Sequence, residues 1–147
     1  MKFLESLKGS KTLVFGAGVT GTAATEFLKD AGSKVQVIDE REEVGSAIRS
    51  LERISLSEQR LAIVSPGWRL DNPLVRSVRE AGIEVLSEID FAWRVKNEVR
   101  PKQIWLSLTG TNGKTTTVQM AEAMLRASEI DAKACGNVGD TAIANVA

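Results

Sequence analysis

Short apolar runs alternate with amphipathic stretches along most of the chain. "KTLVFGAG" (11–18) has a continuous apolar core that stops at glycine, the pattern of a buried strand. Beyond it Ala23, Ala24, Phe27 and Leu28 recur at helical spacing, which predicts a helix from about Val19 to Ala31, stopped by Gly32. "KVQVIDE" (34–40) predicts a second strand, "RLAIVSPG" (60–67) a third cut off by Pro66 and Gly67, and "IEVLS" (83–87) a fourth. Between the second and third, "REEVGSAIRSLERI" (41–54) is polar and moderately helical. A further helix is expected from Asn72-Pro73, with Asp71 or Asn72 as cap and the proline in its first turn, and another through "EIDFAWRV" (88–95).

Strands and helices in alternation argue for an α/β fold with a parallel sheet. "KNEVRPKQ" (96–103) is charged, contains Pro101 and lacks apolar periodicity, so it reads as a linker between a first domain, 1–98, and a second unit, 99–147. The second unit reads as a strand "IWLSLTG" (104–110), a helix over 113–128, a strand in "DAKACG" (131–136) and a new helix running to Ala147. No internal repeat or low-complexity segment interrupts this order.

Composition narrows the chemistry. Lysine plus arginine equals aspartate plus glutamate, 19 of each, and no basic stripe or polybasic patch stands out, so neither nucleic acid nor anionic lipid is expected as a partner. Glu5 and Lys8 come too early for a signal-peptide core, and no apolar run reaches membrane length. One cysteine, Cys135, excludes an internal disulfide and suits a reducing cytoplasm. There is no histidine, which rules out imidazole catalysis and histidine metal ligation within these 147 residues.

Two glycine clusters carry the candidate chemistry. "GAGVTG" (16–21) sits between a strand and a helix: Gly16 permits the tight turn, Gly18 lets a ligand approach the backbone, and Gly21 lets helix and strand pack closely. The following helix start suits a diphosphate. Asp39, at the end of the second strand, stands where a dinucleotide site would grip a ribose hydroxyl. These residues point to a nucleotide and leave its identity open. The second cluster, "TGTNGKTT" (109–116), has the glycine, lysine and hydroxyl of a phosphate-binding loop, with two residues between Gly110 and Gly113 instead of four. Backbone amides from Thr111 to Thr115 can surround phosphates, Lys114 can neutralise β/γ oxygens, and the Thr115 hydroxyl can ligate Mg²⁺. A lysine at a helix start opposes the helix dipole, so an anion is expected to meet it.

"TGTNGKTTT" resembles the ATP loop of the Mur ligases and of their folylpolyglutamate synthetase relatives, of which the latter lack a preceding glycine-site domain. "SPG" (65–67), "NPLVRSVREAGIEVLSEIDF" (72–91) and "GNVG" (136–139) strengthen the likeness to the Mur ligases, which covers nearly the whole chain with the motifs in order. The resemblance implies a Rossmann-like first domain that holds the UDP part of a sugar substrate, followed by the start of a P-loop ATPase domain. It implies Gly18, Val19 and Thr20 at the diphosphate, Asp39, Glu40 and Arg41 at the uracil, Gly67 near the base, and Asn137 at the substrate beside the ATP cleft. Glu40 departs from the small hydroxyl residue common there. It further implies an ATP loop of Gly110, Thr111, Asn112, Gly113, Lys114, Thr115 and Thr116, with Lys114 and Thr115 catalytic and Thr115 on Mg²⁺. The implied reaction joins D-glutamate to UDP-N-acetylmuramoyl-L-alanine through an acyl phosphate, in a cytoplasmic enzyme of peptidoglycan synthesis that is a monomer at full length.

On that reading the chain is the front third of a longer ligase, inactive alone. No apolar strand ending in an acid follows Lys114, and the apolar side of "TVQMAEAMLRA" (Val118, Ala121, Met124, Leu125) must pack on the first domain, self-associate or stay disordered. Two alternatives compete: the L-alanine-adding ligase of the same family, whose motifs differ from "SPG" and "GNVG", and a stand-alone NAD-type sensing module, which would not need Lys114 and Thr115. Phe91, Trp93, Trp105 and Cys135 are expected in the core, while Trp68 stands evenly between base stacking and packing.

Overall fold

The computed structural model describes residues 2–41, 47–136 and 138–146. A short helix α1 (Phe3–Leu7) leads into β1 (Lys11–Phe15), α2 (Val19–Asp30) and β2 (Lys34–Ile38); then come β3 (Gln59–Val64), α3 (Pro73–Glu80), β4 (Glu84–Ser87), α4 (Glu88–Val99) and α5 (Lys114–Ala127). The four strands form one sheet in the order β2-β1-β3-β4, every pair parallel, so the α/β expectation holds.

The sheet is covered on both faces, which is why its strands read as unbroken apolar runs. Val14, Leu61 and Ile63 turn to one face and pack with Leu28 of α2 and Phe91 and Val95 of α4. Leu13, Phe15, Ala62 and Val64 turn to the other and meet Val75 and Val78 of α3. Each fully buried side chain of this size contributes about 1.5–3 kcal/mol. Helix starts follow local chemistry. Asn72 Oδ1 accepts from Leu74 N at 2.9 Å, with Pro73 opening α3. Ser87 and Asp90 form a reciprocal capping box that turns β4 directly into α4.

Of the helix anticipated over 41–54, residues 42–46 lie outside the described residues, and the remainder is not helical. Ile48 instead bridges Ile38, its amide donating to Val37 O at 2.8 Å, and Ile48, Leu51 and Ile54 pack on the second core. The expected linker begins inside a helix, because α4 continues to Val99 and Lys96 is buried, its ammonium 4.8 Å from the Trp93 ring centroid. The stretch 104–110 is not a strand: no described strand lies beside it, and Ile104 and Leu106 are 82% and 78% exposed. Apolar alternation permits a strand, but a hydrogen-bonding neighbour makes one. Within 131–136 there is a single bridge, Cys135 to Asp140. Trp93 is 46% exposed and stacks edge-to-face on Trp105, which is half-buried and packs against the edge of the core, whereas Phe91 is fully buried.

The last described residues make a 3-10 turn, Ile143–Asn145, in place of the expected helix. Ala142, Ile143 and Val146 are buried in the same cluster as α2 and α4, and Ile143 N donates to the buried Glu88 at 3.3 Å. These three residues thus join the core formed by the sheet and helices α2 and α4, whereas the apolar side of 117–127, expected to pack, self-associate or stay disordered, is not buried in it. Helix α5 has no buried residue: Val118 and Leu125 are half-buried, and Met120 and Met124 are 60% and 69% exposed.

Candidate functional site

At the carboxyl edge of the sheet, β1 and β3 are neighbours whose following segments lead to opposite faces, and such a switch point leaves a crevice. Here the crevice measures about 790 Å³. The turn after β1 forms its floor, residues 39–41 after β2 one side, and residues 65–73 after β3 the other.

Each glycine of the floor has a distinct cause. Gly16 adopts φ +104°, a conformation that disfavours side chains, and its amide donates to Ile38 O at 2.8 Å. A side-chain carbon on Gly21 would fall 1.7 Å from Gly16 O, so α2 can approach the turn this closely only because Gly21 has none. Gly18 has an ordinary backbone and no protein atom within 4 Å of where its side chain would be. What its absence keeps open is the cleft itself. Gly18 is also the N-cap of α2, without a side-chain cap and without an acid in the first turn, and Val19 is 80% exposed. The amide-rich, electropositive end of a 12-residue helix is thus presented to the crevice.

Asp39 is buried beside that floor. Its carboxylate accepts from Ala17 N at 2.7 Å, from Arg41 N at 3.1 Å, and from the Arg41 guanidinium at 2.9 and 2.8 Å. The Arg41 guanidinium first, then the Ala17 and Arg41 amides, hold its carboxyl well below the usual range against the opposing effect of burial. With its oxygens engaged, Asp39 ties the glycine turn to the end of β2 and sets the Arg41 side chain along the cleft. That arrangement does not favour the ribose-gripping role anticipated for a dinucleotide.

The far wall combines Ser65, Pro66, Gly67 and Trp68 with Arg69 and Asp71, which pair twice at 2.8 Å on the rim. Gly18, Val19, Thr20, Asp39, Glu40, Arg41 and Gly67 therefore all line one cleft, and Asn137 lies outside the described residues. None of Ser65, Arg69 and Asp71 is expected from sequence as a site residue: Ser65 enters only within "SPG" and Asp71 only as a possible helix cap. Their signal is positional, since residues following a strand adjacent to β1 must surface at the same edge.

The second glycine cluster is a separate feature. Gly113 takes φ +73° as N-cap of α5, and Lys114 begins the helix. The Lys114 ammonium folds back to donate to the carbonyls of Gly110 and, at 3.3 Å, Thr111. A cation in reach of a glycine turn at a helix start fits a phosphate. For Mg²⁺ the fit is partial, since Thr115 offers one hydroxyl and the described residues hold no group of three acidic, cysteine or histidine ligands. Asp140 is paired with Lys133, and half-buried Cys135 has its thiol pushed up by burial and by the charges of Glu88 and Asp140, which agrees with an unreactive role.

A family model described as Mur ligase MurD-like, N-terminal domain, matches residues 10–87. The UDP-N-acetylmuramoylalanine--D-glutamate ligase of Nocardia farcinica is 43% identical over 149 residues, a match to 92% of this chain and 31% of that protein. The ligases of the same name from Thermobifida fusca and Nostoc punctiforme are 40% and 36% identical, matching 93% and 88% of this chain and 32% and 30% of theirs. The chain thus spans about a third of the length of these curated relatives.

Proposed function

The chain belongs to the MurD-like Mur ligases, and from that membership we propose that it carries the nucleotide-binding front of an enzyme that joins D-glutamate to UDP-N-acetylmuramoyl-L-alanine. The observation that carries this reading is the uncapped start of α2 opening on the cleft, with Gly18 leaving space for a diphosphate. Thr20, Glu40, Arg41 and Gly67 line the rest of the cleft and would surround the ribose and uracil.

The "TGTNGKTT" loop would hold the phosphates of ATP. Lys114 would exchange the Gly110 and Thr111 carbonyls for phosphate oxygens, and the Thr115 hydroxyl would meet a Mg²⁺ held mainly by those phosphates. ATP supplies the driving force by activating a carboxylate as an acyl phosphate. The chain's own part is to orient the phosphates and to offset their charge. Because the chain matches only about a third of its relatives' length, the 147 residues by themselves are expected to bind and not to ligate. A cytoplasmic setting and a monomeric full-length enzyme complete the reading. No helix among the described residues is long and apolar enough to cross a membrane.

A ligase-length protein bearing this chain should incorporate D-glutamate into UDP-N-acetylmuramoyl-L-alanine with release of phosphate. Incorporation of L-alanine into UDP-N-acetylmuramate instead would move the chain to the neighbouring step, and no incorporation with tight NAD binding would point to a sensing module.

A further inference from the structure

The turn after β3 closes through Trp68 N, which donates to Ser65 O at 3.0 Å, and this swings the indole back to the cleft. Its ring meets the fully buried Phe15 edge-to-face with centroids 5.2 Å apart, so a core residue fixes its position. Trp68 Cδ1 lies 3.3 Å from the point a side-chain carbon on Gly16 would occupy. Cδ1 is bonded to Nε1, so the pyrrole edge faces the glycine turn. That N–H is a donor with no acceptor function, and among the described residues it makes no hydrogen bond, whereas Trp105 Nε1 donates to Gln103 at 3.0 Å. Beside it the Ser65 hydroxyl, in a residue only 8% exposed, also lacks a partner and sits 2.9 Å from that same point on Gly16. Two unengaged polar groups therefore border the turn whose helix amides are uncapped.

We infer that Trp68 is a ligand-contacting residue of the cleft whose indole N–H donates to a phosphate oxygen of a pyrimidine nucleoside diphosphate. The inference rests on the nucleotide reading above and adds a residue to it. Packing against Phe15 needs no N–H, and an indole N–H with no protein partner on the wall of an open cleft is free to donate to a ligand. Trp68 lines the same cleft onto which the uncapped start of α2 opens, an end that favours an anion.

The test is a titration of the ¹⁵N-labelled chain with UDP, UMP and uridine, watching the three indole N–H signals and the Gly18 amide, with Trp68→Phe used to assign the indole and to remove its donor. The expected result is that UDP shifts the Trp68 indole together with Gly18. Trp68→Phe should keep the amide spectrum away from the cleft yet bind UDP roughly tenfold more weakly, the scale of one hydrogen bond to a charged acceptor in a half-exposed site, while uridine binding is unchanged. If UDP moves Gly18 but not the indole, or Trp68→Phe binds UDP as well as the parent, Trp68 only packs and the inference falls while the nucleotide reading stands. If UDP moves neither, the nucleotide reading fails and takes the inference with it.

Discussion

Gly21→Ala tests how the glycine turn couples fold to site. The new carbon would fall 1.7 Å from the Gly16 carbonyl oxygen and 2.7 Å from its carbon. Side-chain carbons do not approach other heavy atoms much below 3.0 Å, so helix α2 and the turn must part by about 1.3 Å. The turn is pinned by the Gly16 amide on Ile38 O, so the helix must shift, and with it the buried Ala24 and Leu28 on the same side. Overpacking costs about 1–3 kcal/mol, and more where backbone moves, against about 1 kcal/mol gained by replacing glycine inside a helix. The net expectation is a loss of about 1–2 kcal/mol, or a urea midpoint lower by about 1 M, with weaker UDP binding. Gly18→Ala is the counterpart. Its methyl meets no protein atom within 4 Å, so stability should stay within about 0.5 kcal/mol while UDP affinity falls at least roughly tenfold. Urea unfolding followed by near-UV dichroism, with calorimetric UDP titration, reads both. An unchanged midpoint for Gly21→Ala refutes the close-packing argument, and parental UDP affinity in Gly18→Ala refutes ligand approach at that residue.

Asp39→Asn should cost roughly 1.5–3 kcal/mol at neutral pH, because it weakens a carboxylate bonded to two amides and a guanidinium. The folded pKa of Asp39 is depressed, so its contribution is complete above the unfolded value near 3.8 and is lost as pH falls below it. The stability gap between parent and variant should hold from about pH 7 to 5 and shrink below about pH 4; a gap that does not narrow there contradicts the pairing. Lys114→Ala should leave the unfolding free energy within about 0.5 kcal/mol, since the ammonium is exposed on its own loop, yet abolish detectable ATP binding by calorimetry. Ile143→Ala should destabilise the first domain by about 2–4 kcal/mol; an unchanged midpoint would mean that residues 141–146 are not part of its core.

The sheet was legible where burial and punctuation agree. β1, its glycine turn and α2 follow from an apolar run, a G-x-G-x-x-G spacing and a helical repeat, and α3 announces its cap at Asp71 or Asn72, of which Asn72 is used, whereas the Ser87 cap of α4 is not among the sequence expectations. "IWLSLTG" misleads because a strand pattern is local while strand pairing is not, and Ile104, Leu106 and Leu108 stay exposed with no neighbouring strand among the described residues. Trp93 misleads because aromatic bulk suggests burial, although Phe91, Ala92 and Val95 take the inward face of α4. The site divides in the same way. Glycines 16, 18 and 21 carry their roles in their spacing, but the capture of Asp39 by Ala17 and Arg41 depends on β2 lying beside β1, and the wall of Ser65 and Trp68 on β3 lying on its other side.

The central claim is that the cleft at the end of β1 and β3 holds UDP. Its most direct measurement is an amide-resolved NMR titration of this chain with UDP-N-acetylmuramoyl-L-alanine and, separately, with NAD. Saturable shifts are expected at Gly18, Val19, Thr20, Arg41 and Gly67 with the UDP compound and none with NAD. Shifts at those residues with NAD alone would contradict the claim.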